Sequence, residues 1–221
     1  LDVVVTCSQK GLGCPAGLSI SMYSGRALEV FKARKSPPAS YFASLKNWLP
    51  SKFPSPPPTP HHPILCRPTS DNYSVMQNYE AKKPSYFATP SPQLIHALNT
   101  SLTQILSKPL SARFAAQKAA SAKVKKAVAD LGLKQIASDP ADQANGMTTI
   151  YLPEGVAVPT ILPVLLKKGV IFAGGLHKEI ATKYIRVGHM GVSVSDEGRG
   201  DVEKAIRVLG EALEEVGYKK A

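Results

Sequence analysis

A lysine and an arginine carry most of the chemistry legible in this chain of 221 residues. Lys10 stands in the stretch SQKGLGCPAGLS, directly after the apolar, β-branched run that opens the chain. A primary amine on a turn of small residues at a strand end sits where ligands of α/β proteins collect. Partial burial would depress its pKa and make it a nucleophile; a solvated loop lysine is the alternative reading. Arg186 lies between Ile185 and Val187 on an expected strand, where a guanidinium is costly unless it is paired. The position therefore asks for a partner. His61 and His62 are adjacent but lack Cys, Asp or Glu companions, so they do not make a metal site. The cysteines Cys7, Cys14 and Cys66 form neither an even disulfide set nor a CxxC pair, which favours a reducing compartment.

Positioning these side chains falls to a simple order of elements. Residues 1–6 read as a buried strand and residues 18–23 as a second, partly alternating one. Helical spacing covers residues 26–34 and 93–106, the latter returning Leu94, Leu98, Leu102, Ile105 and Leu106 to one side. A basic helix follows and ends near Gly132, a suitable left-handed cap. Strands are expected at 147–152, 170–172 and 184–187. Residues 158–168 form a helix with Pro159 near its start and Gly169 at its stop. The last helix, 201–216, carries Val202, Ile206, Leu209, Leu213 and Val216 on one stripe, with Asp201 in the capping position. From 147 onward the order strand, helix, strand, strand, helix predicts a small α+β domain with helices on one face of a sheet. Gly188 and Gly191 are expected to permit close backbone approach, and His189 is expected to be structural.

The formal net charge is +11, from 27 Lys and Arg against 16 Asp and Glu. The densest basic stretch, 108–134, holds Lys108, Arg113, Lys118, Lys123, Lys125 and Lys126 against Asp130 alone. No aromatics interleave these residues and no nucleic-acid motif accompanies them, so a solvated helix face is the expectation and nucleic acid is not. A non-catalytic truncated product or a basic binding module is the alternative. No apolar run approaches the roughly 20 residues of a membrane helix, so no membrane span is expected. Residues 51–75 hold seven of the 19 prolines, which excludes regular elements there. They read as a linker or a PxxP ligand.

The stretch around Lys10 resembles the cofactor-lysine segment of class V pyridoxal-phosphate-dependent aminotransferases, in the alanine–glyoxylate and serine–glyoxylate branch. Two further stretches resemble that branch in the same order: NYEAKKPSYFATPSPQLIHAL at 78–98 and GGLHKEIATKYIRVGHMGVSV at 174–194. Cysteine desulfurases usually have His where Gln9 stands and fit less well. The resemblance implies an α/β chain of fold type I: the C-terminal part of a large domain plus a small C-terminal α+β domain. The corresponding divisions are 1–50, end of the large domain; 51–75, insertion; 76–110, link between domains; and 111–221, small domain. It implies that Lys10 bonds the aldehyde of pyridoxal 5′-phosphate and later moves the proton between substrate Cα and cofactor. Gln9 matches a cofactor contact. Tyr86 and Thr89 match donors to the cofactor phosphate from the neighbouring subunit of a homodimer, where the residue types alone favour a core tyrosine and a turn threonine. Arg186 matches the arginine that grips the substrate α-carboxylate bidentately.

By the same resemblance the substrates are small amino acids and 2-oxo acids, with alanine or serine donating to glyoxylate. The compartment is cytosol or peroxisome, the Lys219-Lys220-Ala221 ending being at best a weak variant of SKL. The family's phosphate-cradling loop, ring-stacking aromatic and the Asp that pairs with the pyridine nitrogen are expected upstream of Leu1, and Asp2 is too close to Lys10 to replace that Asp. The 221 residues are therefore expected not to transaminate alone. In relatives the sequence matching the text before residue 51 continues almost directly into Met76, so 51–75 reads as translated intron, with a genuine, disordered surface insertion as the alternative. Ser51-Lys52 can be encoded with a splice-donor sequence.

Overall fold

The computed structural model describes residues 1–36, 39–40, 44–45, 78, 81–84, 86, 89 and 91–220. The proline-rich stretch, with His61, His62 and Cys66, lies outside them. The chain divides into two units, Leu1–Val5 with Ser21–Ile95, and Thr6–Ile20 with His96–Ala221.

In the first unit, β-branched residues form β1 (Val3–Cys7), which pairs with β2 (Ser19–Tyr23) in a two-stranded sheet; the unit boundary runs through both strands. Helix α1 (Gly25–Ala33) starts where the Ser24 hydroxyl accepts the Ala27 N–H at 3.1 Å. The same hydroxyl donates to the Asp2 carboxylate at 2.9 Å, and Arg26 Nε donates to it at 2.9 Å. Arg26, then Ser24, holds the Asp2 carboxyl below its usual range. Asp2 thus ties the strand entry to the start of α1. The expectation of a buried first strand is corrected. Val5 is 63% exposed and no residue of β1 is buried, because among the described residues its sheet has a single partner strand.

The second unit contains the core. Helices α2 (Pro92–Leu106, whose first turn belongs to the first unit) and α3 (Leu110–Asp130) precede β3 (Met147–Tyr151), α4 (Val158–Lys167), β4 (Ala173–Gly174) and β5 (Tyr184–Gly188). The short α5 (Val192–Ser195) and the amphipathic α6 (Asp201–Glu215) complete it. The sheet order is β3-β5-β4, antiparallel throughout, with Arg186 opposite Thr149 on one side and Ala173 on the other. Ile150 and Ile185 from the sheet, Val128 from α3, Ile161 and Leu165 from α4, and Val208 and Leu213 from α6 meet in one core. Gly132, at φ 73°, and Gly169, at φ 79°, end the helices that precede them.

Two expectations are corrected here. The strand expected at 170–172 begins three residues later, at Ala173–Gly174, because pairing with β5 is made there. Phe172 still enters the core, while Ile171 faces out. Asp201 is not the cap of α6. Gly200, at φ 64°, occupies the cap, and Asp201 accepts from Ser193 Oγ at 2.9 Å and Arg199 Nε at 2.8 Å. The basic α3 is solvated at Lys118, Lys123 and Lys126, while Lys125 turns inward to donate to the Gln143 carbonyl at 3.2 Å. No helix among the described residues is long and apolar enough to cross a membrane.

Candidate functional site

The Lys10 turn is built around Ser8, which is fully buried. Its N–H donates to the Leu18 carbonyl at 3.2 Å, and its carbonyl accepts from Cys14 N–H at 3.0 Å. Its hydroxyl donates to the Pro15 carbonyl at 2.7 Å and accepts the Leu18 N–H at 3.3 Å. One serine therefore closes the loop 8–18 from both its backbone and its side chain. At the tip, Gly13 N–H bonds the Lys10 carbonyl at 2.8 Å, and Gln9 and Lys10 both face solvent. Partial burial of Lys10 is thereby corrected: the loop buries Ser8 and Cys14 and turns the amine outward. The loop is fastened to α2 by the Ser101 hydroxyl on the Leu12 carbonyl and by the Cys14 thiol, 3.6 Å from the Ala97 carbonyl. A cavity of about 840 Å³ lies beside this loop, walled by Gly11, Cys14, Ser101, Gln104, Arg113 and Asp196; neither Lys10 nor Arg186 lines it.

Arg186 belongs to the same unit, half-buried on the central strand β5. Its Nε donates to the Gly174 carbonyl on β4 at 2.7 Å, and its terminal nitrogens have no hydrogen-bond partner among the described residues. That leaves the outer edge of the guanidinium for a planar anion. Two residues before it, Tyr184 is buried and its phenol oxygen accepts N–H bonds from Leu176 at 2.8 Å and His177 at 3.0 Å. The His177 and Leu176 amides, with a smaller contribution from the Arg186 charge, hold the phenol below its ordinary pKa. No hydrogen bond links Lys10 with Arg186.

Tyr86 and Thr89 stand in the other unit, their hydroxyls 3.0 Å apart and both residues exposed. The core tyrosine that the residue type alone favours is thus not what the fold makes: Tyr86 is 79% exposed. His189 is buried, 3% exposed, with Nε2 at 2.8 Å from Thr148 Oγ1 and Nδ1 without a partner. Burial pushes its pKa down, and the nearby Lys125 charge adds to that. The glycine expectation is corrected in part. Gly188 and Gly191 make no close approach, Gly191 serving instead at φ 68°, whereas a Cβ on Gly175 would meet Ala181 O and Tyr184 Cε1 at 2.5 Å. Sequence reasoning missed Gly175 and Tyr184, although the Gly174-Gly175 pair and a tyrosine at i−2 from the arginine were visible in it. Among the described residues no cluster of His, Cys, Asp and Glu could hold a metal ion.

No family model matches the chain. Alanine–glyoxylate aminotransferase 1 of Saccharomyces cerevisiae is 34% identical over 201 residues, 89% of this chain and 45% of that protein. Serine–glyoxylate aminotransferase of Hyphomicrobium methylovorum is 27% identical over 194 residues, 87% of this chain and 40% of that protein. The crystal structure of pyridoxamine–pyruvate aminotransferase from Mesorhizobium loti superposes with a TM-score of 0.75 at 26% identity, over 100% of this chain and 48% of that one. The chain thus spans about half the length of the curated relatives it matches. Its α/β fold is that of pyridoxal-phosphate-dependent aminotransferases.

Proposed function

We propose that this chain, a homologue of the glyoxylate aminotransferases, carries the lysine and the arginine with which an enzyme of that kind moves an amino group from alanine or serine to glyoxylate, giving glycine. The supporting observation is Arg186, anchored through Nε to the Gly174 carbonyl with its outer nitrogens unpartnered. A carboxylate received on those two nitrogens is fixed in plane, which orients the substrate Cα–H for removal. The donor set also fits pyridoxal 5′-phosphate. An accessible primary amine is offered by Lys10, on a loop whose closure by Ser8 leaves that side chain free. The Tyr86 and Thr89 hydroxyls spend at most one hydrogen on each other, leaving the second for a phosphate oxygen.

When bound, the cofactor supplies a conjugated ring that takes up the electron pair left at Cα. The chain's own residues do the rest. Lys10 Nζ would hold the cofactor through its aldehyde and, once freed by the substrate's amino group, would serve as the base that takes the substrate Cα proton. Gln9 borders the cofactor beside it. Tyr86 and Thr89 would serve the cofactor phosphate of the neighbouring subunit if the protein is a homodimer. The basic-module alternative has less behind it, because Lys123 and Lys126 are engaged by Glu203 at 3.0 Å and Asp130 at 2.5 Å.

The test is covalent mapping. The chain is incubated with substoichiometric pyridoxal phosphate, reduced with borohydride and digested. Pyridoxyl label concentrated on Lys10 over Lys118, an exposed lysine outside the loop, is expected; even labelling of the two overturns the reading.

A further inference from the structure

Arg186 can receive a carboxylate only if its guanidinium plane is held, and the holding group is a main-chain carbonyl on a strand of two residues, Ala173–Gly174. So short a strand has little to fix it by ladder bonds alone. The turn that follows it wraps around Tyr184. Gly175 N–H donates to the Ala181 carbonyl at 3.2 Å, and the next two N–H groups, Leu176 and His177, both donate to the phenol oxygen. Gly175 lies so close to the Tyr184 ring and to the Ala181 backbone that a Cβ there would overlap both. The turn is then closed by Ile180 N–H on the His177 carbonyl at 3.0 Å and Lys183 N–H on the Ile180 carbonyl at 2.9 Å. A tyrosine two residues before the arginine therefore fixes, through two amides and one ring contact, the residue adjoining the Gly174 carbonyl.

We infer that Tyr184 is a positioning residue for Arg186: its phenol oxygen and ring hold the Gly174–Gly175 backbone, and that backbone holds Arg186 Nε so that the outer nitrogens face a carboxylate. The inference rests on the carboxylate role proposed for Arg186. Removing the phenol oxygen in Tyr184→Phe leaves two amide donors without their acceptor and frees the turn to move. Gly175→Ala displaces the same turn from the other side while keeping the phenol.

The experiment is arginine side-chain NMR of the full chain, titrated with propionate as a carboxylate that lacks the amino group. In the wild type, the Arg186 Nε–H is expected to exchange slowly and to shift as propionate binds. In Tyr184→Phe and in Gly175→Ala it is expected to exchange freely, with propionate bound about tenfold more weakly. The backbone amides shared by β3 and β5 report whether the sheet is intact. If Tyr184→Phe disturbs them, Gly175→Ala decides. A slowly exchanging Nε–H in both variants overturns the positioning role. Arg186→Gln separates the two ideas: unchanged propionate binding there overturns the carboxylate reading, while the exchange rates still decide what holds the arginine.

Discussion

β1 and β5 are both strands of five residues rich in apolar, β-branched or aromatic side chains, yet they have opposite fates. Ile185 in β5 is completely buried, whereas Val5 in β1 is 63% exposed. The difference does not lie in the strands. β5 has a neighbour on each edge, and the core residues of α3, α4 and α6 lie against it. β1 has one neighbour, β2, and no buried residue. Composition sets the appetite of a strand for burial, and the layers that meet it decide whether burial occurs. The candidate site divides along the same line. Arg186 is delivered by the buried strand with its geometry set by sheet register, while Lys10 is delivered by a loop with its geometry set by one buried serine.

The contrast can be broken most forcefully in the core. Ile185→Ala is expected to destabilise the second unit by about 2–5 kcal/mol in urea unfolding, and Val5→Ala by less than about 0.5 kcal/mol. Equal losses at the two positions would mean that β1 is covered as β5 is. Ser8→Ala comes next. It strips the Leu18 N–H and the Pro15 carbonyl of a partner and should cost about 1–3 kcal/mol, with faster hydrogen exchange at Leu18 and Cys14. Unchanged exchange at those amides would show that the loop is held elsewhere. Gly191→Ala has open space around it, but φ 68° with ψ −141° is a conformation kept for glycine, so a loss of about 1–3 kcal/mol from backbone strain alone is expected.

His189 sharpens the comparison by pH. Buried against Thr148 and near Lys125, it takes up a proton less readily in the fold than in the unfolded chain, which is protonated below about pH 6.5. Its contribution is therefore complete above about pH 6.5 and falls as the pH drops below that, until the folded-state pKa is reached. His189→Gln should flatten this acid limb of a stability–pH curve, and an unchanged limb would assign the acid sensitivity to other groups. Val5→Thr, the mildest change, should leave the midpoint of urea unfolding where it was.

Much of this was legible in the residues, and the gaps have physical causes. The stripe Val202, Leu209 and Leu213 located the last helix because helical burial is periodic and local. The apolar run at 170–172 misled by three residues, since strand identity there depends on pairing with β5 and not on composition. Asp201 looked like a cap because its residue type favours caps, but Arg199 and Ser193 compete for its carboxylate. Arg186 advertised its need for a partner. Which carbonyl answered could not be read, because Gly174 lies 12 residues away and meets it only across the sheet. Gly175 was silent for the same reason: its crowding is made by Ala181 and Tyr184.

The thiol of Cys14 has a use beyond packing. It is buried at the inner side of the Lys10 loop, against the Ala97 carbonyl of α2. It also borders the cavity beside that loop, and lifting of the loop would expose it further, so the rate at which the Cys14 peptide is alkylated is a clock for the opening of the segment that presents Lys10. Slowing of that clock by pyridoxal phosphate would register engagement of the loop without any turnover being measured.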